Sequence, residues 1–434
     1  MSADSLMASC HSQPFLRQIE RRHAPAHQKP CFIRHWMGCL CRTLVVRLTG
    51  TGAFLWLAAS IQAHPRMVSF DYPDCRSCHV AVQGRGLLNG LGRSVDREQS
   101  LSQTDATGVL LGSLIDPKYS EAKWKGKFGN VLADFTTTTR FKRNVSSDQS
   151  DRTLAAIYRQ ILFLGSESRL RINTELGFLD SGLKDLAFGS DTALLGGDSF
   201  FLKKLTLDYR MKNEGGQGGS ELSIGRDYLP LGLQLDDVTS YFLALNRNGI
   251  YDYPTQLKYF TWRKRWLASV FLFAPSFDEN IATTQEYGTG FMFEYYVRDS
   301  FVVGLQSLLG WSDPSDRSRS GIFLRWGINE KWALLAESDL TTDWGRESAG
   351  NGHSLHTSFL QVFYHHREWL VSSVAGNYAH VDDLRGGENH FFLRYTLAAR
   401  INRNLTLGFS AVTGDSQRNL SSGNEASAFV AVKF

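Results

Sequence analysis

From about residue 123 to Phe434, apolar and polar residues alternate with a period of two, and that pattern limits the fold more than any other feature of the chain. In "RSGIFLRWGINE", Ile322, Leu324, Trp326 and Ile328 take one face while Phe323, Arg325 and Gly327 take the other. In "SRLRINTELGF", Leu170, Ile172, Leu176 and Phe178 oppose Arg171, Asn173 and Glu175. "FFLRYTLAARIN" sets Leu393, Tyr395, Leu397 and Ala399 against Arg394, Thr396, Ala398 and Arg400. Side chains of a strand point alternately to its two faces, so these segments are strands with one greasy and one wet face. Phe at 28, Tyr at 15 and Gly at 39, against 10 Pro, agree with a β-rich chain.

A soluble sandwich alternates too, and the connections decide between the two. Short links, "RDSF" at 298, "NEKW" at 329, "HREW" at 366 and "INRN" at 401, take turns with long polar ones. The long ones read as "APSFDENIATTQEYG", "SDPSDRSRS", "GRESAGNGHS", "VDDLRGGEN" and "GDSQRNLSSGNEAS". Strict alternation of short turn and long loop marks an up-and-down transmembrane barrel, with short turns in the periplasm and long loops outside. Trp266, Trp332 and Trp369 beside the turns suit an interfacial girdle. "ASAFVAVKF" alternates to a terminal Phe434, an ending that resembles the last strand of Gram-negative outer-membrane proteins. The expectation is a mainly β fold, an antiparallel barrel of about sixteen strands over residues 116–434. After the N-terminal region no apolar run is long enough for a spanning helix.

The N-terminus reads as a targeting region, residues 1–63. Arg42 and Arg47 precede "LTGTGAFLWLAASIQA", which ends in small residues near Ser60 and Ala63 as a cleavable secretory signal does. Met37 would open a signal of ordinary length, so residues 1–36 read as an over-extended start. Lys+Arg at 47 nearly balances Asp+Glu at 43, and no basic field argues for nucleic acid.

The cysteines then carry most of the chemistry. Of six, Cys10, Cys31, Cys39 and Cys41 precede the cleavage region, leaving Cys75 and Cys78 in "DYPDCRSCHV". A covalent haem needs two thiols spaced for its two vinyl groups and an imidazole next to them for the iron, which Cys75, Cys78 and His79 supply in five residues. A structural zinc site would want a second ligand pair, and a redox dithiol would want a βαβ setting. Neither context is present in the sequence. One haem c is therefore expected on residues 64–115, a segment too small for a self-sufficient core. Gly84, Gly86, Gly90 and Gly92 lack dinucleotide spacing and read as compact backbone at the haem edge.

Met67 and His64, just upstream, are the candidates for the second axial ligand. His356, His365, His366, His380 and His390 would reach the iron only if the haem sat inside or against the barrel, and each reads otherwise as a surface or interfacial histidine. Lumen-facing Arg325, Arg394, Arg400, Lys204 and Arg210 would serve the haem propionates or line an aqueous pore. Asp278 with Glu279, and Asp382 with Asp383, read as solvated loop charge, with attraction of Fe²⁺ as the alternative.

A signal peptide, one Cys-x-x-Cys-His and a porin-like barrel ending in Phe together resemble the fused outer-membrane monohaem cytochrome-porins, the group that contains the outer-membrane iron oxidases. The lead-in "HPRMVSFDYPD" departs from the Phe-Ala-Arg-Gln type of those oxidases. The resemblance implies a protein of the Gram-negative outer membrane that moves electrons between an extracellular donor or acceptor, Fe²⁺ among them, and a periplasmic c-type cytochrome or other carrier. It also implies a haem segment held in the lumen or at the periplasmic face. The alternative is a porin whose tethered haem acts as a redox sensor or periplasmic carrier. A haem peroxidase would need a distal acid–base residue, and none stands near the motif.

Overall fold

The computed structural model describes residues 65–70, 72, 74, 78–79, 87–88, 92, 95, 99–101 and 124–433, apart from connections within that last range. Those connections are 127–128, 145–149, 165–168, 180–199, 214–217, 234–252, 276–285, 313–314, 346–352, 384–385, 403 and 416–424. The signal region, His64, Cys75 and Phe434 lie outside the described residues. No helix among the described residues is long and apolar enough to cross a membrane.

The alternating segments form one antiparallel sheet. After the short β1 (Trp124–Gly126), the strands are β2 (Gly129–Asn144), β3 (Ser150–Leu164), β4 (Leu170–Leu179), β5 (Phe200–Asn213), β6 (Gly218–Arg226), β7 (Thr255–Arg263), β8 (Trp266–Ala274) and β9 (Tyr287–Arg298). The series continues with β10 (Phe301–Trp311), β11 (Ser315–Asn329), β12 (Trp332–Gly345), β13 (His353–Arg367), β14 (Leu370–Asp383), β15 (Gly386–Arg400), β16 (Leu405–Asp415) and β17 (Glu425–Lys433). Each pairs with its sequence neighbour, and β17 returns to β2 with Glu425 opposite Asn144 and Lys433 opposite Thr136. Strands β2 to β17 thus close into a sixteen-stranded barrel, as the alternation implied, and β1 folds back on β2 from outside that count. Closure leaves no unpaired edge. The shortest barrel strands have 9 residues, enough at ordinary rise and tilt for an apolar band roughly 25 Å tall.

The two faces are distributed inversely to those of a water-soluble domain. On β11, Ile322 is 67% exposed and Trp326 and Ile328 lie outward, while Arg325 is 2% exposed and Arg319 1%. Among the most fully buried side chains are Arg319, Arg325 and Lys258. Leu222, Ile224, Leu257, Val270, Leu272, Leu305, Leu309 and Leu360 stand outside. Water disfavours such a surface, whereas hydrocarbon favours it, and the charges inside survive burial because they are paired. Trp332 and Trp344, at opposite ends of β12, mark the two rims of the outer apolar band.

The connections depart from strict alternation. Every turn at one end is short, as 264–265, 299–300, 330–331 and 368–369 illustrate. At the opposite end, however, β10 and β11 are joined by 312–314 alone and β14 and β15 by 384–385. The segments "SDPSDRSRS" and "VDDLRGGEN" are therefore mostly strand. The first is polar because Arg317 and Arg319 point into a charged interior, where Arg317 meets Glu286 at 2.7 Å and Arg319 meets Asp339 at 2.8 Å. A strand whose inner face is wet looks like a loop when its outer residues are serines.

Candidate functional site

Residues Pro65–Phe70 form a 3₁₀ helix, closed by the Tyr72 amide donating to the Met67 carbonyl at 3.3 Å. This helix packs inside the barrel at the short-turn end, against β11 and β12. Val68 is fully buried in an apolar cluster with Phe260, Trp262, Leu267, Val302, Phe323, Ala333, Phe363 and Val371 from the wall. Burying such a side chain contributes about 2 kcal/mol. The fit depends on Gly327, where a Cβ would come to 2.5 Å from the Ser69 Cα. Glycine lets the two backbones approach, and at this end of the wall the strand register shifts at Gly327/Asn329, Phe301/Val302 and His365/Arg367.

Two further contacts tie the N-terminal segment to other parts of the same rim. Leu87 packs on Ile161 of β3, with Phe163 beside it. The Leu101 amide donates to the Arg400 carbonyl at the end of β15, 2.9 Å away. Strands β3, β11 and β15 lie on different sides of the ring, so described residues between 65 and 101 touch the rim at three separate places. The motif lies within that stretch.

Cys78 and His79 are both buried, at 5% exposure each. His79 forms an isolated antiparallel bridge with Leu88, and Gly92 lies so close to the Cys78 backbone that any Cβ there would collide with it. A thiol and an imidazole held side by side away from water are the donor chemistry a covalent haem needs, and these residues fit that group. Cys75 and His64 lie outside the described residues; Met67 is buried.

Of the five downstream histidines, four point to other settings. His356 hydrogen-bonds Ser338 at 3.0 Å, His366 Ser372 at 2.9 Å and His380 Asn389 at 2.9 Å, while His390 lies 3.7 Å from Glu388. His365 differs: it is 4% exposed, and its ring packs edge-on against Phe70 with centroids 5.1 Å apart. The expected lumen-facing cations divide likewise. Arg325 pairs with Glu294 at 2.7 Å, Lys204 with Asp227 at 3.0 Å and Arg210 with Glu221 at 3.1 Å. Arg394 is half-buried, and Arg400 is the member of the set whose backbone touches the N-terminal segment. Of the acidic loop residues, Asp278 and Glu279 lie outside the described residues, and Asp382 is exposed at the end of β14.

A second inward element was not legible in the sequence. After β6 the chain turns into the lumen over Asp227–Leu233 and is buried throughout. The Leu233 amide reaches the Glu337 carboxylate of β12 at 2.7 Å, and Gly232 adopts a φ of 58°, where a side chain would strike Glu337. Asp227 anchors the start of the segment by bonding Lys258 and Lys204, whose ammonium groups also lie over the Tyr228 ring. Burial alone would raise the Asp227 carboxyl; the two cations overcome it and hold the group below its ordinary value. Gln306 and Arg319 complete the charge cluster about Glu337. Leu233 joins the same apolar cluster as Val68, so the two inserted segments share one core.

No family model matches this chain, and no curated protein matches it. Solved structures do. In-vitro folded OmpT of Vibrio cholerae superimposes with a TM-score of 0.52 at 9% identity, covering 72% of this chain and 100% of that one. OmpF of Salmonella typhi, in complex with daunomycin, gives 0.53 at 12%, covering 70% and 98%. The outer-membrane channel DcaP of Acinetobacter baumannii gives 0.52 at 11%, covering 72% and 100%. At such identities the likeness establishes the fold alone: this chain is a closed, porin-like β-barrel of the outer-membrane type.

Proposed function

We propose that this protein is an outer-membrane cytochrome-porin, whose barrel carries one covalent haem across an insulating membrane for electron transfer. The observation that carries the reading is the packing of Pro65–Phe70 inside the short-turn mouth, with Val68 in the wall's own core, together with the burial of Cys78 and His79. An apolar core at that level, shared with Leu233, suits a closed conduit better than a pore for hydrophilic solutes. The hydrocarbon layer, about 30 Å thick, blocks soluble carriers, so a redox centre held in a protein-filled lumen gives each side an approach to it. In this reading the short-turn end faces the periplasm and long connections such as 180–199 and 234–252 face outward.

The haem, when bound, supplies a one-electron centre. Cys75 and Cys78 would hold it by thioether bonds and His79 would ligate its iron, while the rim residues around Val68, Leu87 and Arg400 would keep water from it. Bound there, it would serve to pass electrons between an extracellular donor or acceptor and a periplasmic carrier. The outward apolar belt sets the location in the outer membrane, in contact with lipid. Outer membranes prepared from expressing cells test the reading: haem stain should co-migrate with a heat-modifiable barrel of this mass. A folded barrel without covalent haem would leave only a porin.

A further inference from the structure

We propose that the outer face of β12 to β15 is the contact surface for a second copy of this chain within the membrane. The surface faces away from the lumen, so its role does not depend on the haem.

Six polar side chains make it: Ser338, His356, Ser358, Tyr378, His380 and Asn389. They lie in two adjacent rows of the register, one running Ser338, Ser358, Tyr378 and the other His356, His380, Asn389. All take the outward positions of their strands, because Asp339, Thr357, Ala379 and His390 beside them are buried inside. The His356 Nε2 lies 3.0 Å from the Ser338 hydroxyl and 3.3 Å from that of Ser358, and the two hydroxyls are 3.2 Å apart. The Asn389 Oδ1 accepts from the Tyr378 hydroxyl at 2.7 Å and lies 2.9 Å from the His380 Nδ1. The His356 and Tyr378 rings join the two halves, with centroids 6.1 Å apart. Asn389 Nδ2, His356 Nδ1 and His380 Nε2 find no hydrogen-bond partner among the described residues.

Depth makes this arrangement costly in lipid. Ser338 stands midway between Trp332 and Trp344, the rim tryptophans of β12, about 15 Å from each at ordinary rise and tilt. Hydroxyl, imidazole and carboxamide groups inside that band meet hydrocarbon, which offers them no hydrogen bonds. On the opposite side of the ring, β6 to β8 turn Leu222, Ile224, Leu257, Val270 and Leu272 outward instead. Lipid headgroups lie above and below the centre of the patch and do not reach it. Its cover is therefore a protein that also spans the membrane.

A second copy meets that requirement in depth, orientation and chemistry. It crosses the membrane the same way up, so it presents the same two rows at the same level. A two-fold axis along the membrane normal sets the patch against itself, as in a closed dimer. None of the six carries a fixed charge, and serine, tyrosine, asparagine and neutral histidine each both donate and accept. The patch thus pairs with its own image without like-charge repulsion, while exposed Leu340, Leu360, Val374 and Phe391 around it supply apolar packing.

Photo-crosslinking of the full chain in intact outer membranes tests the contact, with Leu360→p-benzoylphenylalanine beside the patch and Ile224→p-benzoylphenylalanine on the opposite side. Heat-modifiable gel mobility reports barrel folding, and mass spectrometry identifies each adduct. The Leu360 variant should give an adduct of twice the chain's mass that contains this chain alone, and the Ile224 variant should give none. Adding His356→Leu and Asn389→Leu should lower that yield about ten-fold while the barrel stays heat-modifiable. An adduct with a different protein, adducts with lipid alone, or equal yields from the two positions overturn the assignment. An undiminished yield after His356→Leu and Asn389→Leu overturns it as well.

Discussion

The Leu233 amide donates to the carboxylate of Glu337 at 2.7 Å, joining the segment that follows β6 to the wall of β12. This bond ties down the inner end of a segment that Asp227 anchors at its start and Leu233 packs into the shared core. Glu337 also takes bonds from Gln306 and Arg319, so Glu337→Ala removes the anchor and leaves buried donors without it. Such a loss costs about 2–4 kcal/mol. Wild-type protein in planar bilayers should conduct poorly; Glu337→Ala should conduct several-fold better and lose heat-modifiable mobility at lower temperature. Equal conductance in the two would mean that the segment does not occlude the lumen.

Asp227 neutralises Lys204 and Lys258 within one buried cluster. Asp227→Asn would set two buried ammonium groups against each other and destabilise the barrel by about 3–5 kcal/mol. Adding Lys258→Met should recover part of that loss. Because the folded carboxyl is held below its ordinary value, its contribution is fully present above the unfolded value, about 4, and is lost as pH falls through the lower folded one. Thermal denaturation of wild type between neutral pH and pH 3 should therefore show an acid-side loss that Asp227→Asn lacks.

The outer face offers a direct contrast between lipid and water. Ile322 sits midway along β11 and is 67% exposed. In lipid, Ile322→Lys should cost about 2–4 kcal/mol and reduce recovery of folded barrel from outer membranes. On a water-facing surface the same change would stay within roughly 0.5 kcal/mol.

Gly327 tests the docking of the N-terminal segment separately from barrel folding. A Cβ there meets Val68 and Ser69 backbone atoms, which cannot rotate away. Gly327→Val should leave the sixteen strands closed but make residues 65–101 accessible to protease added from the periplasmic side. Wild type should resist under the same digestion, read by immunoblot of the N-terminal segment.

Most of the barrel was legible because its periodicity is local: Ile322, Trp326 and Ile328 opposite Phe323 and Arg325 already state two faces. The Cys75, Cys78 and His79 spacing behind the haem proposal is equally local. Two kinds of feature were not. Strand ends such as Arg317 and Arg319 were read as loop, because their polarity answers partners on other strands. The inward segment Asp227–Leu233 and the buried setting of His365 depend on contacts across the lumen with Glu337 and Phe70, which no linear pattern encodes. The carboxylate partners of Arg325, Lys204 and Arg210 lie on neighbouring strands or segments and were not legible for the same reason.

Reduction of the haem in intact cells by a membrane-impermeant electron donor tests the central claim most directly. Followed by optical spectroscopy, the account expects the reduced haem bands to appear without lysis, and to be lost in a Cys75→Ser, Cys78→Ser double variant whose barrel still folds. Bands that appear only after the cells are broken would place the haem on the periplasmic side alone and contradict it.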